Sequence, residues 1–542
     1  MAIMAVFALI PLLAMIGGAI DSSRTYMAFT RLQQACDAGA LAGRKAMSNV
    51  TRLTDTEKAK ASEFFRFNFP TGTYAAEQIN AVYEKGADGV VVGRASLSMP
   101  TTLMRMFGFG SIPVSTTCQA ELNIPNTDVM FVLDTTGSMS STPSGGSPNR
   151  WTLSKIDGLK QAVKDFYAAL GPGAPTGAGR IRYGFMPYSS NVNVGRILYR
   201  LNPAYIAGGI GVENVNFPSR RGTAVRTACS NAWQSNCYEV SWRWINLSQD
   251  VSPWVRTIDK VANPAYFQSN PENPKDYAPP SFAWNGCIRE ASTVQDITAT
   301  SSLEVPLNAY DLQIDLKPSS AATRWKPALS QLQYQKSTDS NGLLSAVGYS
   351  CPQEASPLQQ YATDYNSTSK SSASLNAYVD TLFASGQTYH DIGLIWGARF
   401  LAPAGIYSAT NSDVVAPGGY QVSRHIVFMT DGQLDTSTYI ADAWGVNELM
   451  DDVQQDNAVA PATADRNRLQ ASHLRRTQII CNEMKKRGFI IWIVGFGSSG
   501  LSRELKECAT DPDHWAVATD TAALRRTFAK IAQTIGGLRL TS

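Results

Sequence analysis

The chain has 542 residues, of which 44% are hydrophobic, 10% aromatic and only 17% charged, with a formal net charge of +3. The length favours roughly two to four folding units, and the composition excludes an intrinsically disordered chain. A near-neutral balance without a long Lys/Arg run gives no basis for a nucleic-acid partner.

Residues Ala2 to Ile20 carry no charge, and about 19 helical residues at ~1.5 Å each approach the ~30 Å hydrocarbon thickness. The expectation is a transmembrane anchor over residues 1–23, a buried soluble helix being one alternative. A cleaved signal peptide fits less well. Its apolar region runs ~7–15 residues, follows basic residues and precedes a small-residue cleavage site, whereas here nothing basic comes first and Asp21-Ser22-Ser23-Arg24 follows. The missing basic flank leaves orientation unread by charge bias and points to a true start upstream of Met1.

The eight cysteines lack C-x-x-C spacing, and four histidines are too few to suggest a Cys/His metal cluster. An even number after an anchor suggests disulfides in an oxidising compartment. The expected pairs are Cys229–Cys237, Cys287–Cys351 and Cys481–Cys508, because each closes a local loop; buried free thiols are the alternative.

Beyond the anchor the helix continues through Asp21 to Ala46, with Ala28, Leu32, Ala35, Cys36, Gly39 and Ala42 forming a stripe of small side chains at helical spacing. A helix over Thr54 to Phe67, strands at Ile79–Tyr83, Val90–Met99 and Ser115–Leu122, and a short helix at Thr101–Phe107 follow. This resembles the plan of pilin-like subunits. The texts Gly17-Gly18-Ala19-Ile20-Asp21-x-x-Arg24 and Leu32 to Gly43 are similar to the amino-terminal region of TadE/TadG-like proteins of Flp (tight-adherence) pilus assembly. The resemblance implies a pilin-like helix and α+β segment over 24–126. It also implies a single-pass protein of the bacterial inner membrane, its bulk in the periplasm or at the cell surface, with other pilus assembly proteins as partners.

From Asp128 strands and helices alternate, the pattern of a mostly parallel sheet with helices on both faces. Strand Asp128–Leu133 is followed by helix Ser154–Leu170 and strand Ile181–Pro187. The rhythm is lost over 196–373, a stretch rich in Pro, Asn, Ser and Trp that reads as an insertion. It resumes with a helix at Ser374–Ala384, a loop into a helix at Gly386–Phe400, and strand Arg424–Thr430 ending in Asp431-Gly432. A helix over Ala471–Arg487, strand Phe489–Phe496, helix Leu501–Cys508, strand Trp515–Ala518 and helix Ala522–Ile535 complete the order.

The sharpest motif is Val129 to Ser140, an apolar strand ending in Asp134-x-Thr136-x-Ser138. Alternate positions of an extended turn direct one carboxylate and two hydroxyls to one spot, and hard oxygen ligands suit Mg²⁺, Mn²⁺ or Ca²⁺. The motif resembles the metal-ion-dependent adhesion site (MIDAS) of von Willebrand factor A domains, with Thr136 in place of the first Ser. That resemblance covers 127–538 apart from the insertion and implies a doubly wound α/β fold, with Thr388 and Asp431 completing the set Asp134, Thr136, Ser138, Thr388 and Asp431. It further implies an open cation position filled by a carboxylate of a protein partner, and hence cation-dependent adhesion or pilus assembly. The alternative is a scaffold in which the metal only stabilises the fold. An enzyme is not expected: Ser138, His390 and Asp431 could be drawn as a hydrolase triad, yet no G-x-S-x-G elbow is present.

Overall fold

The computed structural model describes residues 2–47, 53–86, 90–120, 126–171, 180–208, 211–228, 237–249, 261–262, 281–282, 284–295, 297–329, 334–338, 344–346, 348–361, 374–413, 422–436, 440–445, 463–497 and 500–536. The expected Cys229–Cys237 pair falls at residue 229, outside this set, as does most of an acidic loop at 442–456 that could be drawn as a calcium patch. The chain forms two compact units, Met1–Pro125 with Ala169–Gly179 and Ala532–Ser542, and Asn126–Ala168 with Arg180–Ile531.

In the first unit a single helix, α1, runs from Ala2 to Ala46. Among the described residues no helix is long and apolar enough to cross a membrane; the side chains of residues 1–13 are not among them. The second helix, α2 (Asp55–Asn68), starts where a capping box predicts, with Glu57 accepting the Thr54 N–H at 2.6 Å. Strands β1 (Glu77–Lys85), β2 (Val91–Pro100) and β3 (Ser111–Ala120) form an antiparallel sheet in that order.

The small stripe of α1 faces this sheet and α2: Ala28, Leu32, Ala35, Cys36 and Ala40 are buried with Phe65, Tyr83, Val91 and Leu97. Gly39 is required there, since a Cβ would collide with the Tyr83 hydroxyl. Cys36 of α1 is bonded to Cys118 of β3, a pair that local loop closure did not suggest.

The second unit is a six-stranded sheet with order β8-β5-β4-β9-β10-β11, where β4 is Thr127–Asp134, β5 Ile181–Tyr188, β8 Ser356–Gln359, β9 Ser423–Thr430, β10 Ile490–Phe496 and β11 Trp515–Ala518. All pairings are parallel except β8 with β5. Every residue of β4 and β5 is buried, the signature of strands covered on both faces.

Side chains alternate across the sheet. Phe131 points to one face, where its ring lies 4.9 Å from Phe166 of α3 (Lys155–Leu170) and 6.2 Å from Phe528 of the C-terminal helix Thr521–Ile535. Met130 and Val132 join the opposite core with Ile395, Trp396 and Ile480. There the helix His390–Leu401 sits so close that a Cβ on Gly397 would clash with Val132.

The stretch 196–373, where the sequence shows no sustained rhythm of strands and helices, nevertheless holds strands. It contains β6 (Val215–Thr227) and β7 (Cys237–Gln249), an antiparallel hairpin, and it supplies β8 to the main sheet. The stretch is closed on itself by Cys287–Cys351 and fastened to the α/β core by buried charges. Glu290 receives two hydrogen bonds from Arg399, at 3.0 and 3.1 Å, and Asp311 pairs with Arg476. Cys481–Cys508 ties the long helix Thr463–Lys486 to Arg503–Cys508.

Candidate functional site at the carboxyl edge of the parallel sheet

Parallel α/β sheets place their sites where strands end and loops begin, and β4 and β9 end side by side. Their register pairs Leu133 with Met429, so the next residues, Asp134 and Thr430, meet: the Thr430 hydroxyl donates to Asp134 Oδ2 at 2.7 Å. The other carboxylate oxygen of Asp134 accepts the Thr136 N–H at 2.9 Å, a side-chain turn that bends the chain away from the sheet. Thr136 then caps a short turn, Gly137–Ser140, which returns the Ser138 hydroxyl to 3.0 Å from that of Thr136.

Ser138 Oγ donates to Asp431 Oδ1 at 2.8 Å. Four of the five expected residues are thus drawn into one chain of contacts, Asp134–Thr136–Ser138–Asp431 with Thr430 behind. The structure's contacts to Thr388 run through its backbone: it exchanges two hydrogen bonds with Asp435, and the Gly386 carbonyl accepts the Gly137 N–H at 2.8 Å. These bonds hold the 386–388 loop against the motif turn. His390 is not placed for the hydrolase reading, because Ser138 is bonded to Asp431 while His390 Nε2 lies 3.3 Å from Thr430 Oγ1. Burial lowers its pKa to about 4, so the imidazole is neutral.

Sequence reasoning missed Lys155. Its ammonium donates to Asp431 Oδ2 at 2.8 Å, with both side chains nearly inaccessible. A signal was available: Lys155 is the first residue of α3, where the helix dipole disfavours a cation, so a carboxylate nearby was to be expected. Thr430 was missed because its role arises from strand register.

Electrostatically the site is loaded. Asp134 is fully buried, and that burial, with a contribution from the Asp431 charge, raises its pKa to about 6 against the hydrogen bonds from Thr136 and Thr430. Two carboxylates and the hydroxyls of Thr136 and Ser138 offer only hard oxygen donors, while Ser138 remains exposed. That donor set fits Mg²⁺ or Mn²⁺ better than a soft metal. Among the described residues no group of three or more His, Cys, Asp or Glu forms a metal cluster; hydroxyls supply the remaining donors here.

The fold is thus mixed α/β with a mostly parallel sheet and a candidate site at its carboxyl edge, joined to a helix-led α+β unit. Residues 1–49 match the family model described as Flp pilus-assembly TadE/G-like, which makes the amino-terminal segment pilus-related. No curated protein matches the chain.

Among solved structures, the pilus adhesin SpaC from Lactobacillus rhamnosus GG is similar at 11% identity and a TM-score of 0.31, over 84% of this chain and 34% of that one. The chain thus spans about a third of the adhesin's length. The PilB minor pilin from Streptococcus sanguinis is similar at 10% identity and a TM-score of 0.30, over 85% of this chain and 78% of that one. Proximal thread matrix protein 1 from the mussel byssus, in a form with a zinc-occupied MIDAS motif, is similar at 12% identity and a TM-score of 0.18, over 78% of this chain and all of that one.

Proposed function

We propose that the second unit is a von Willebrand factor A domain that binds a protein partner through a divalent cation, and that the whole chain is a membrane-anchored component of Flp/Tad pilus assembly or surface attachment. The observation that carries this reading is the convergence of Asp134, Thr136, Ser138 and Asp431, from strands far apart in sequence, at the carboxyl edge of the parallel sheet, where Ser138 is exposed. A cation held there by two carboxylates and by hydroxyls that add no charge would keep an unfilled coordination position. The partner's part is then a carboxylate.

The Thr388 hydroxyl completes the proposed ligand set. Residues Ala2 to Ile20 serve as the anchor, with the bulk of the chain outside the cytoplasmic membrane and disulfide-bonded. No enzymatic activity is proposed. A second reading, a scaffold whose site only stiffens the fold, draws support from the Lys155–Asp431 pair, which already neutralises one carboxylate.

Titration of the full chain with Mn²⁺, followed by capture of partners with and without Mg²⁺, tests the proposal. Saturable binding that is lost in Asp134→Ala, together with a partner retained only with the ion, is expected. Saturable Mn²⁺ binding with no ion-dependent partner would leave the scaffold reading, and no saturable binding would remove the metal site altogether.

A further inference from the structure

The turn between β2 and β3 is fastened to α1 at the point where the uncharged run ends. Asp21, the first charged residue of the chain, is only 3% exposed. Its carboxylate accepts the backbone N–H groups of Thr102, Leu103 and Met104 at 2.8, 3.0 and 2.8 Å, satisfying amides that the short helical turn Met104–Phe107 leaves open. Arg24 donates to the Thr102 hydroxyl. Gly17 permits close approach, since a Cβ there would stand 2.9 Å from Leu103 Cβ, and Gly18 lies beside Met104, whose Sδ a Cβ would meet at an ordinary contact distance of 3.9 Å. The turn therefore lies alongside the last helical turn of the uncharged run.

What it turns outward is apolar and cationic. Met106 is 82% exposed and Phe109 61%, with Phe107 beside them, and on the same stretch of α1 Met15 and Ile16 are also exposed. Arg105 is exposed too, and residues 101–110 contain no acid. Apolar side chains grouped in this way mark an interaction surface rather than chance exposure. Combined with Arg105 and Arg24, they match the chemistry of interfacial binding, in which apolar groups enter the acyl boundary and cations meet anionic headgroups.

We propose that the Thr101–Gly110 turn is a second membrane contact, seated in the headgroup region with Met106, Phe107 and Phe109 entering the acyl boundary. The occupant is a lipid bilayer, because the patch is continuous with the Ala2–Ile20 run, and the inference rests on the reading of that run as the anchor. Asp21 then acts as the clasp that fixes the turn's depth. A carboxylate at the end of an apolar run is tolerated because three amides, rather than lipid, surround it.

The test uses the full chain reconstituted in phosphatidylcholine/phosphatidylglycerol vesicles, with the photo-crosslinker benzoylphenylalanine replacing Phe109, Ile16 or Phe67 in turn. Phe67 is the control: it is exposed, and α2 meets α1 at Arg31, which bonds the Asn68 carbonyl, ten residues or about 15 Å beyond Asp21 along the helix. Lipid adducts from positions 109 and 16, several-fold above position 67, are expected. Adducts from 16 without lipid adducts from 109, or adducts from 109 to a second copy of the chain, overturn the inference and leave the anchor standing. Lipid adducts from neither overturn the anchor reading itself. Because all three positions are exposed, the variants should fold, and retained resistance to trypsin verifies that they do.

Discussion

Lys155 sets the charge that a divalent ion would meet. With its ammonium against Asp431, the two carboxylates and one amine sum to a single negative charge, so a divalent cation has to displace the amine or share Asp431 with it. Lys155→Met is therefore expected to tighten Mn²⁺ binding by roughly tenfold or more, the scale of removing one close charge from a dry site. Calorimetric titration checks this, and unchanged affinity would show that the amine does not compete.

Asp134 adds a pH dependence whose sign follows from its raised pKa. Folding moves this group from an ordinary value of 3.8 to about 6. In the cation-free protein its contribution to stability is thus full below the lower value and is lost as pH rises through the higher one. Cation binding needs the ionised form, so Mn²⁺ affinity should climb between about pH 5 and about pH 7 and level off above, whereas affinity independent of pH over that window would contradict it.

The elements divide by how local their cause is. The helices and strands on either side of the long insertion were legible because each carries its own periodicity and cap, as at Thr54–Glu57 or Ser374, whose hydroxyl accepts the Ala377 N–H. The Asp134-x-Thr136-x-Ser138 turn was legible for the same reason. What could not be read were contacts created by register and packing, such as Thr430 on Asp134, Lys155 on Asp431, and Cys36 with Cys118.

Buried pairs that fasten the insertion belong to this second kind. Burial pushes Glu290 towards its neutral form and Arg399 draws it back, so removing the arginine strands a buried carboxylate. Arg399→Leu is expected to cost about 3–5 kcal/mol in urea unfolding; a loss below about 1 kcal/mol would mean that the insertion is held mainly by its apolar contacts and by the pairing of β8 with β5.

Among the described residues each of the two compact units buries hydrophobic residues of its own, and such units unfold as distinct cooperative events. Scanning calorimetry of the full chain should show two transitions, with Mg²⁺ raising only that of the α/β unit, since a ligand stabilises what it binds. Replacing Cys36 and Cys118 by serine should lower only the other. The bridge spans 82 residues, and the chain-entropy model assigns such a loop about 4.5 kcal/mol. A single transition that moves in both experiments would show the units to be thermodynamically one.

The position of β4 has a mechanical consequence. The second unit begins at Asn126, one residue before β4, the strand flanked on both sides by parallel neighbours along its length. Tension applied to this unit at Asn126 along the axis of β4 would load the interstrand bonds on both edges in shear and together rather than opening them one after another. Resistance to pulling is governed by the unfolding barrier, not by equilibrium stability, and this geometry raises that barrier. A cation bridging the far end of β4 to β9 would act as a rivet on the same line of force.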